Sequence, residues 1–94
     1  MGELREIQKE LLIDMKYPTD DILLGRMERI RRRNNLYTAM LLGNSFKRKV
    51  KILFNTVSQK FFVDTTVWSV GKEFVTLKGG RIVPIRSIYK VQLY

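Results

Sequence analysis

Phe61-Phe62-Val63-Asp64-Thr65-Thr66-Val67-Trp68-Ser69-Val70 is the stretch on which the fold turns. β-Branched and aromatic residues dominate it and neither glycine nor proline interrupts it, so it reads as extended chain. Upstream, Val50, Ile52 and Phe54 alternate with Lys49, Lys51 and Leu53, and the polar run Asn55 to Gln59 joins the two segments as a hairpin. Downstream, Gly71-Lys72-Glu73 turns the chain into Phe74-Val75-Thr76-Leu77. Lys78-Gly79-Gly80-Arg81 then forms a two-residue turn whose glycines accept positive φ, which sets Leu77 opposite Ile82. Pro84 ends the strand from Ile82 because it has no N–H for a ladder; Arg86-Ser87 turn, and Ile88 to Leu93 form the last strand. Five short antiparallel strands over residues 46–94 suit a small β-barrel that closes its own edges.

Residues 1–45 carry a different pattern. Leu4, Ile7, Leu11, Leu12 and Met15 recur at helical spacing, which predicts an amphipathic helix over about 3–16. Pro18 biases Tyr17 away from helix, and Thr19 or Asp20 is placed to cap a second helix over about 20–42. Its apolar stripe runs through Leu23, Met27, Ile30, Tyr37 and Leu41, interrupted by Asn34, while Arg26, Arg29, Arg32 and Arg33 form a ridge on the adjoining face. Leu36 to Leu42 is apolar nearly all round and should be buried, and Gly43-Asn44 supplies the stop.

The order helix then strands, with Val75-Thr76-Leu77-Lys78-Gly79-Gly80 and then Ile82-Val83-Pro84-Ile85-Arg86-Ser87-Ile88-Tyr89-Lys90-Val91, resembles the second half of Sm-like and SH3-like barrels. Thr65 through Ile88 is also similar to small uncharacterised bacterial proteins. The resemblance covers the C-terminal half and implies the barrel; joined to the helical pattern of residues 1–45, it gives the expectation of an α+β protein, an N-terminal helical pair followed by a five-stranded antiparallel Sm/SH3-like small barrel. Sm-like proteins bind RNA on rings, which the resemblance makes an expectation here. Their nucleotide-pocket loops correspond to Val70-Gly71-Lys72-Glu73 and Lys78-Gly79-Gly80-Arg81, which lack the acidic, Asn-containing and Arg-Gly signatures, so the barrel carries over and the pocket does not.

The 94 residues leave room for one modest core and favour self-association as a way to bury more apolar surface. With no cysteine, disulfides, thiolate metal sites and thiol nucleophiles are excluded; with no histidine, the commonest general base is missing. The expectation is a protein that is not an enzyme and takes no cofactor or small-molecule substrate. The charged start Met1-Gly2-Glu3 has no signal-peptide core and no apolar run is long enough to cross a bilayer, so a cytoplasmic location is expected.

The net charge is +9 and unevenly spread. Residues 1–25 hold three Lys/Arg against six Asp/Glu, residues 26–60 ten against one, and residues 61–94 five against two. The middle third is where a polyanion should bind. Arg26, Arg29, Arg32, Arg33, Lys47, Arg48, Lys49 and Lys51 are the candidate phosphate contacts, for RNA ahead of DNA, and a row of guanidinium groups suits that chemistry because each holds phosphate bidentately. The competing reading is a protein-interaction module that dimerises through its N-terminal helices and sets the basic ridge against an acidic surface. Tyr89 and Tyr94 are the expected surface aromatics, with Trp68 and most phenylalanines assigned to the core. Asp20-Asp21 could serve a metal but sit where a helix wants a cap; Gly79-Gly80 fit a turn better than a phosphate cradle. Leu36 to Phe46 between basic runs could lie on an anionic membrane, against which burial is preferred.

Overall fold

Three residues decide where the long extended segment divides. Thr65, Thr66 and Val67 are all buried in succession, which breaks the in–out alternation a flat strand requires. In the computed structural model, which describes residues 4–94, the chain bends there: β3 (Lys60–Thr65) ends in one sheet and β4 (Val67–Val70) begins in another. The four-stranded sheet has the order β1-β3-β2-β7, with β1 at Arg5–Glu6, β2 at Val50–Asn55 and β7 at Ile88–Gln92. The three-stranded sheet is β4-β5-β6, with β5 at Phe74–Leu77 and β6 at Arg81–Pro84. One main helix, α1, runs from Arg26 to Phe46 and packs on β4 and β7.

The architecture is α+β, but the helical pair and the five-stranded barrel expected from the sequence do not form. The stretch about 3–16, whose first residue lies outside the described ones, folds as β1 and a short 3-10 turn at Lys9–Asp14. β1 lies parallel to β3, pairing Arg5 with Phe61 and Glu6 with Phe62, and the Ile7 N–H continues the ladder to the Phe62 carbonyl at 2.9 Å. A short isolated helix is marginal, whereas pairing satisfies an otherwise bare sheet edge and buries Ile7 and Leu12. Of the stripe that suggested a helix, Leu4 and Leu11 remain exposed.

The second helix starts later and ends later than its expected limits of 20 and 42. Gly25 is its N-cap, the Glu28 carboxylate accepting from the Gly25 N–H at 3.2 Å, so Asp20 and Thr19 do not cap it. Gly43 does not stop it either, being buried within the last turns. The helix closes on Lys47, held left-handed at φ 56°, with the Lys47 and Arg48 N–H groups donating to the carbonyls of Gly43 and Leu42. A lysine there strains its Cβ against its own backbone. Lys47→Gly is therefore expected to stabilise the protein by about 0.5–1 kcal/mol, read as a rise of several degrees in thermal midpoint; an unchanged or lower midpoint refutes the strain.

The face α1 buries is the reverse of the expected one. Arg32, Leu36, Ala39 and Gly43 point inward, while Met27, Ile30, Tyr37 and Leu41 point to solvent on the opposite side. The core itself joins all parts of the chain: Ile7 and Leu12, Leu36 and Ala39, and Val50, Ile52, Phe54, Val63, Val67, Val75, Leu77, Val83, Ile85, Ile88 and Val91 form one cluster. Phe54 is the one phenylalanine fully buried, with Tyr17 and Phe61 against its ring; Trp68, assigned to the core from sequence with most phenylalanines, is exposed, as are Phe46 and Phe74. Burial pushes the Tyr17 hydroxyl up to about 12 while it donates to the Leu12 carbonyl at 2.9 Å. At the β5–β6 turn both Gly79 and Gly80 have positive φ, and the register places Leu77 opposite Arg81 and Thr76 opposite Ile82. That one-residue difference from the expected pairing keeps Leu77 buried and Ile82 outward.

Candidate nucleic-acid interface

The expected arginine ridge is divided by the fold. Arg32 is buried at 6% exposure, where Nη1 donates to Asp21 Oδ1 and to the Ile88 carbonyl, both at 2.9 Å, and Nη2 to Asp21 Oδ2 at 2.6 Å. Arg29 is half exposed, donating to the Leu23 carbonyl at 2.6 Å, with Asp21 3.6 Å away. Arg33 holds the β4–β5 turn, its two Nη groups donating to the Gly71 and Lys72 carbonyls at 2.9 and 2.7 Å. Three of the eight expected phosphate contacts thus tie the loop before α1 and the β4–β5 turn to the helix.

Asp21 is the acid at this junction. Burial raises its carboxyl, but the Arg32 hydrogen bonds, the Leu23 N–H and the charges of Arg32 and Arg29 together outweigh burial and hold it below its ordinary 3.8. Among the described residues, Asp21 is the only carboxylate within ion-pair distance of a cation, and no three acidic groups gather closely enough to hold a metal.

The remaining expected residues do not form one patch. Arg26 is exposed at the start of α1, and Lys47 closes its far end. Arg48 donates to the Tyr94 carbonyl at 3.3 Å. Lys49 lies in a cleft shared with Lys9 and Lys78 but also with Glu6, Glu10 and Asp64, so its surroundings are of mixed sign.

Lys51 lies in a different setting. Strand alternation turns Ile52 and Phe54 into the core and Lys51 and Leu53 to the outer face of the four-stranded sheet. Cross-strand register adds Phe62 and Lys90 beside Leu53, Asp64 and Gln92 beside Lys51, and Lys60 beside Asn55. An irregularity between Leu53 and Phe54 in the β2–β7 ladder leaves Tyr89 unpaired.

Two cation–aromatic contacts organise this face. Lys51 Nζ sits 4.6 Å from the Phe62 ring centroid and Lys60 Nζ 5.2 Å from that of Tyr89. Burial raises the Tyr89 hydroxyl above its ordinary value. Beyond Tyr89 and Lys90 the face leads into a groove of about 270 Å³ between β7 and α1, lined also by Arg31, Asn35 and Glu28. The outcome is a strip of Lys51, Lys60, Lys90 and Arg31 interleaved with Phe62 and Tyr89, with Asp64 and Glu28 at its margins.

Of the eight residues selected from sequence, only Lys51 belongs to this strip. Lys60 and Lys90 were missed, although their alternation against the core positions of β2, β3 and β7 was present in the sequence; Phe62 is a stacking aromatic that the sequence reading set with most phenylalanines in the core, and Tyr89 was anticipated as a surface aromatic. No helix among the described residues is long and apolar enough to cross a membrane. Compared with protein-family models, curated proteins and solved structures, the chain matches none.

Proposed function

We propose that the protein is a non-catalytic binding module for single-stranded nucleic acid, RNA ahead of DNA, and that the outer face of the four-stranded sheet is where the strand lies. The observation that carries this reading is the interleaving of Lys51, Lys60 and Lys90 with Phe62 and Tyr89 on one face. Single-strand binders combine cations that follow the backbone with aromatic surfaces on which bases stack, and every base has such a surface to offer. A duplex fits less well, because nothing on this face projects far enough to enter a groove. No side chain is arranged to read base edges with a bidentate contact, so sequence preference is weak.

Fluorescence anisotropy with labelled single-stranded RNA and DNA tests this. Affinity falls as salt rises, with a logarithmic slope of about −2 to −3 for three or four phosphate contacts on a single strand. Lys60→Glu with Lys90→Glu lowers affinity at least tenfold at low salt, and Phe62→Ala weakens it about tenfold through loss of stacking. Arg33→Ala, which frees the β4–β5 turn, leaves oligonucleotide affinity within about twofold once stability is matched. Binding that is absent at low salt, or unaffected by the Lys60/Lys90 reversal, removes the proposal.

A further inference from the structure

We infer that the groove between β7 and α1 takes a ribose, and that Glu28 and Asn35 tell RNA from DNA there by engaging its 2′-hydroxyl. This rests on the single-strand reading of the sheet face. It adds the choice of sugar, which the lysines and aromatic rings of that face do not make.

The groove follows from helix periodicity and strand order. Glu28, Arg31, Arg32 and Asn35, at intervals of three and four residues, share the side of α1 that borders β7. β7 is the last strand of its sheet, so its outer edge is turned to the helix. The gap of about 270 Å³ between them has Tyr89 and Lys90 in its other wall. Arg32 is committed to Asp21 and to the Ile88 carbonyl, so it builds the wall and does not wait for a ligand.

The remaining side chains carry both signs. Arg31 and Lys90 are exposed cations, Glu28 is an exposed carboxylate, and Asn35 is a half-buried carboxamide. A phosphate placed at the centre of this set would be repelled by Glu28. A ribose is neutral, and its 2′-hydroxyl both donates and accepts. A carboxylate takes the donated proton in a charge-assisted bond, and a carboxamide N–H returns one to the hydroxyl oxygen. Glu28 is held ready for this, because its Oε1 accepts from the Gly25 N–H at 3.2 Å and the second oxygen stays available.

The connectivity of a nucleotide places its sugar here. The ribose joins the base to the phosphate, so a base stacked on Tyr89 with its phosphate at Lys90 or Arg31 carries its ribose into the gap that Glu28 and Asn35 border. Deoxyribose enters the same gap without a clash and forgoes only the hydroxyl's bonds. Discrimination is therefore moderate, about tenfold, and confined to one nucleotide.

Fluorescence anisotropy on the full chain, with oligouridine, oligodeoxyuridine and 2′-O-methyl oligouridine of equal length, reads this directly. The three share a base, and the methylated strand has no hydroxyl proton to donate. The native chain is expected to bind the RNA about tenfold tighter than either of the others. A deoxyuridine strand with one central uridine recovers most of that advantage, because one groove takes one sugar. Glu28→Gln keeps an acceptor for the Gly25 N–H, and Asn35→Ala suits a helix interior, so both fold. Each is expected to reduce the RNA-to-DNA ratio to about threefold, and the two together to bring it within about twofold, with DNA affinity not weakened. Equal binding of RNA and DNA by the native chain overturns the inference and leaves the single-strand reading standing. So does an RNA advantage that survives the double substitution, that the 2′-O-methyl strand retains, or that grows evenly with the number of riboses. Absence of binding to all three strands at low salt removes both.

Discussion

Gly43→Ala is expected to destabilise the protein by about 1–3 kcal/mol, although the same change at most helix positions stabilises by about 1 kcal/mol. A Cβ on Gly43 would stand 2.6 Å from the Val67 carbonyl oxygen and 2.7 Å from Thr66 Cγ2. The first of these is backbone, and it belongs to the point where the chain passes from β3 to β4, so it cannot swing aside as a side-chain tip can. Either α1 must lift from β4 or the bend must shift, and both disturb Leu36, Ala39 and Val67, which are fully buried. Ser45→Ala, two residues along on the exposed side, is the matched control, and its thermal midpoint is expected to hold or rise slightly. If Gly43→Ala raises the midpoint as Ser45→Ala does, the close approach of helix and bend is not what holds these elements together.

That contact also explains which parts of the fold could be read in advance. Strand content in the C-terminal half was legible because alternation and turn residues act over a few positions: the β2–β3 hairpin, β5, β6 and β7 all lie where the sequence put them. The break at Thr66 was not, because a threonine pair is good strand sequence and its burial on both sides follows only from α1 lying across it at Gly43. Similarly, Leu4 to Met15 has helical spacing, but the empty edge of β3 offers ladder hydrogen bonds, and a short helix cannot compete with that. Local pattern reports what a segment is able to form, and long-range pairing selected otherwise.

The candidate site was less legible than the fold, for a related reason. Counting charge along the chain identified residues 26–60 as strongly basic, and that is correct as composition. It cannot separate a guanidinium that waits for a ligand from one that holds a loop. Arginine offers five donors in a rigid plane, which suits carbonyls and carboxylates of its own chain as well as phosphates. Arg32 and Arg33 are spent in that way. The lysines of the sheet face, separated by many residues, come together only through the β3-β2-β7 ladder. The solvent face of α1 shows the converse: its spacing was visible, but with one apolar stripe and one basic ridge on view, the natural inference put the apolar one inside.

Asp21→Asn is expected to cost about 3–5 kcal/mol, because it leaves Arg32 charged and buried without its counter-ion. The change keeps the side chain's size, so little of the loss comes from packing. Arg29→Ala, whose partner distance is 3.6 Å and whose side chain is half exposed, is expected to cost under about 1 kcal/mol. The double variant Asp21→Asn with Arg32→Met removes the stranded charge and recovers much of the loss, so chemical denaturation of the native chain, Asp21→Asn, Arg32→Met alone and the double variant measures the coupling directly. Acid adds a second reading of the same pair. The folded carboxyl titrates below its unfolded value of 3.8, so its contribution is complete above that value and disappears as pH falls through the lower, folded one. The stability gap between the native chain and Asp21→Asn should therefore be constant near neutrality and narrow as pH falls below the unfolded value of 3.8. A gap that stays the same across that range would mean that Arg32 is held by its bond to the Ile88 carbonyl and by packing, and that the carboxylate on the loop before α1 does not secure the helix to the strands.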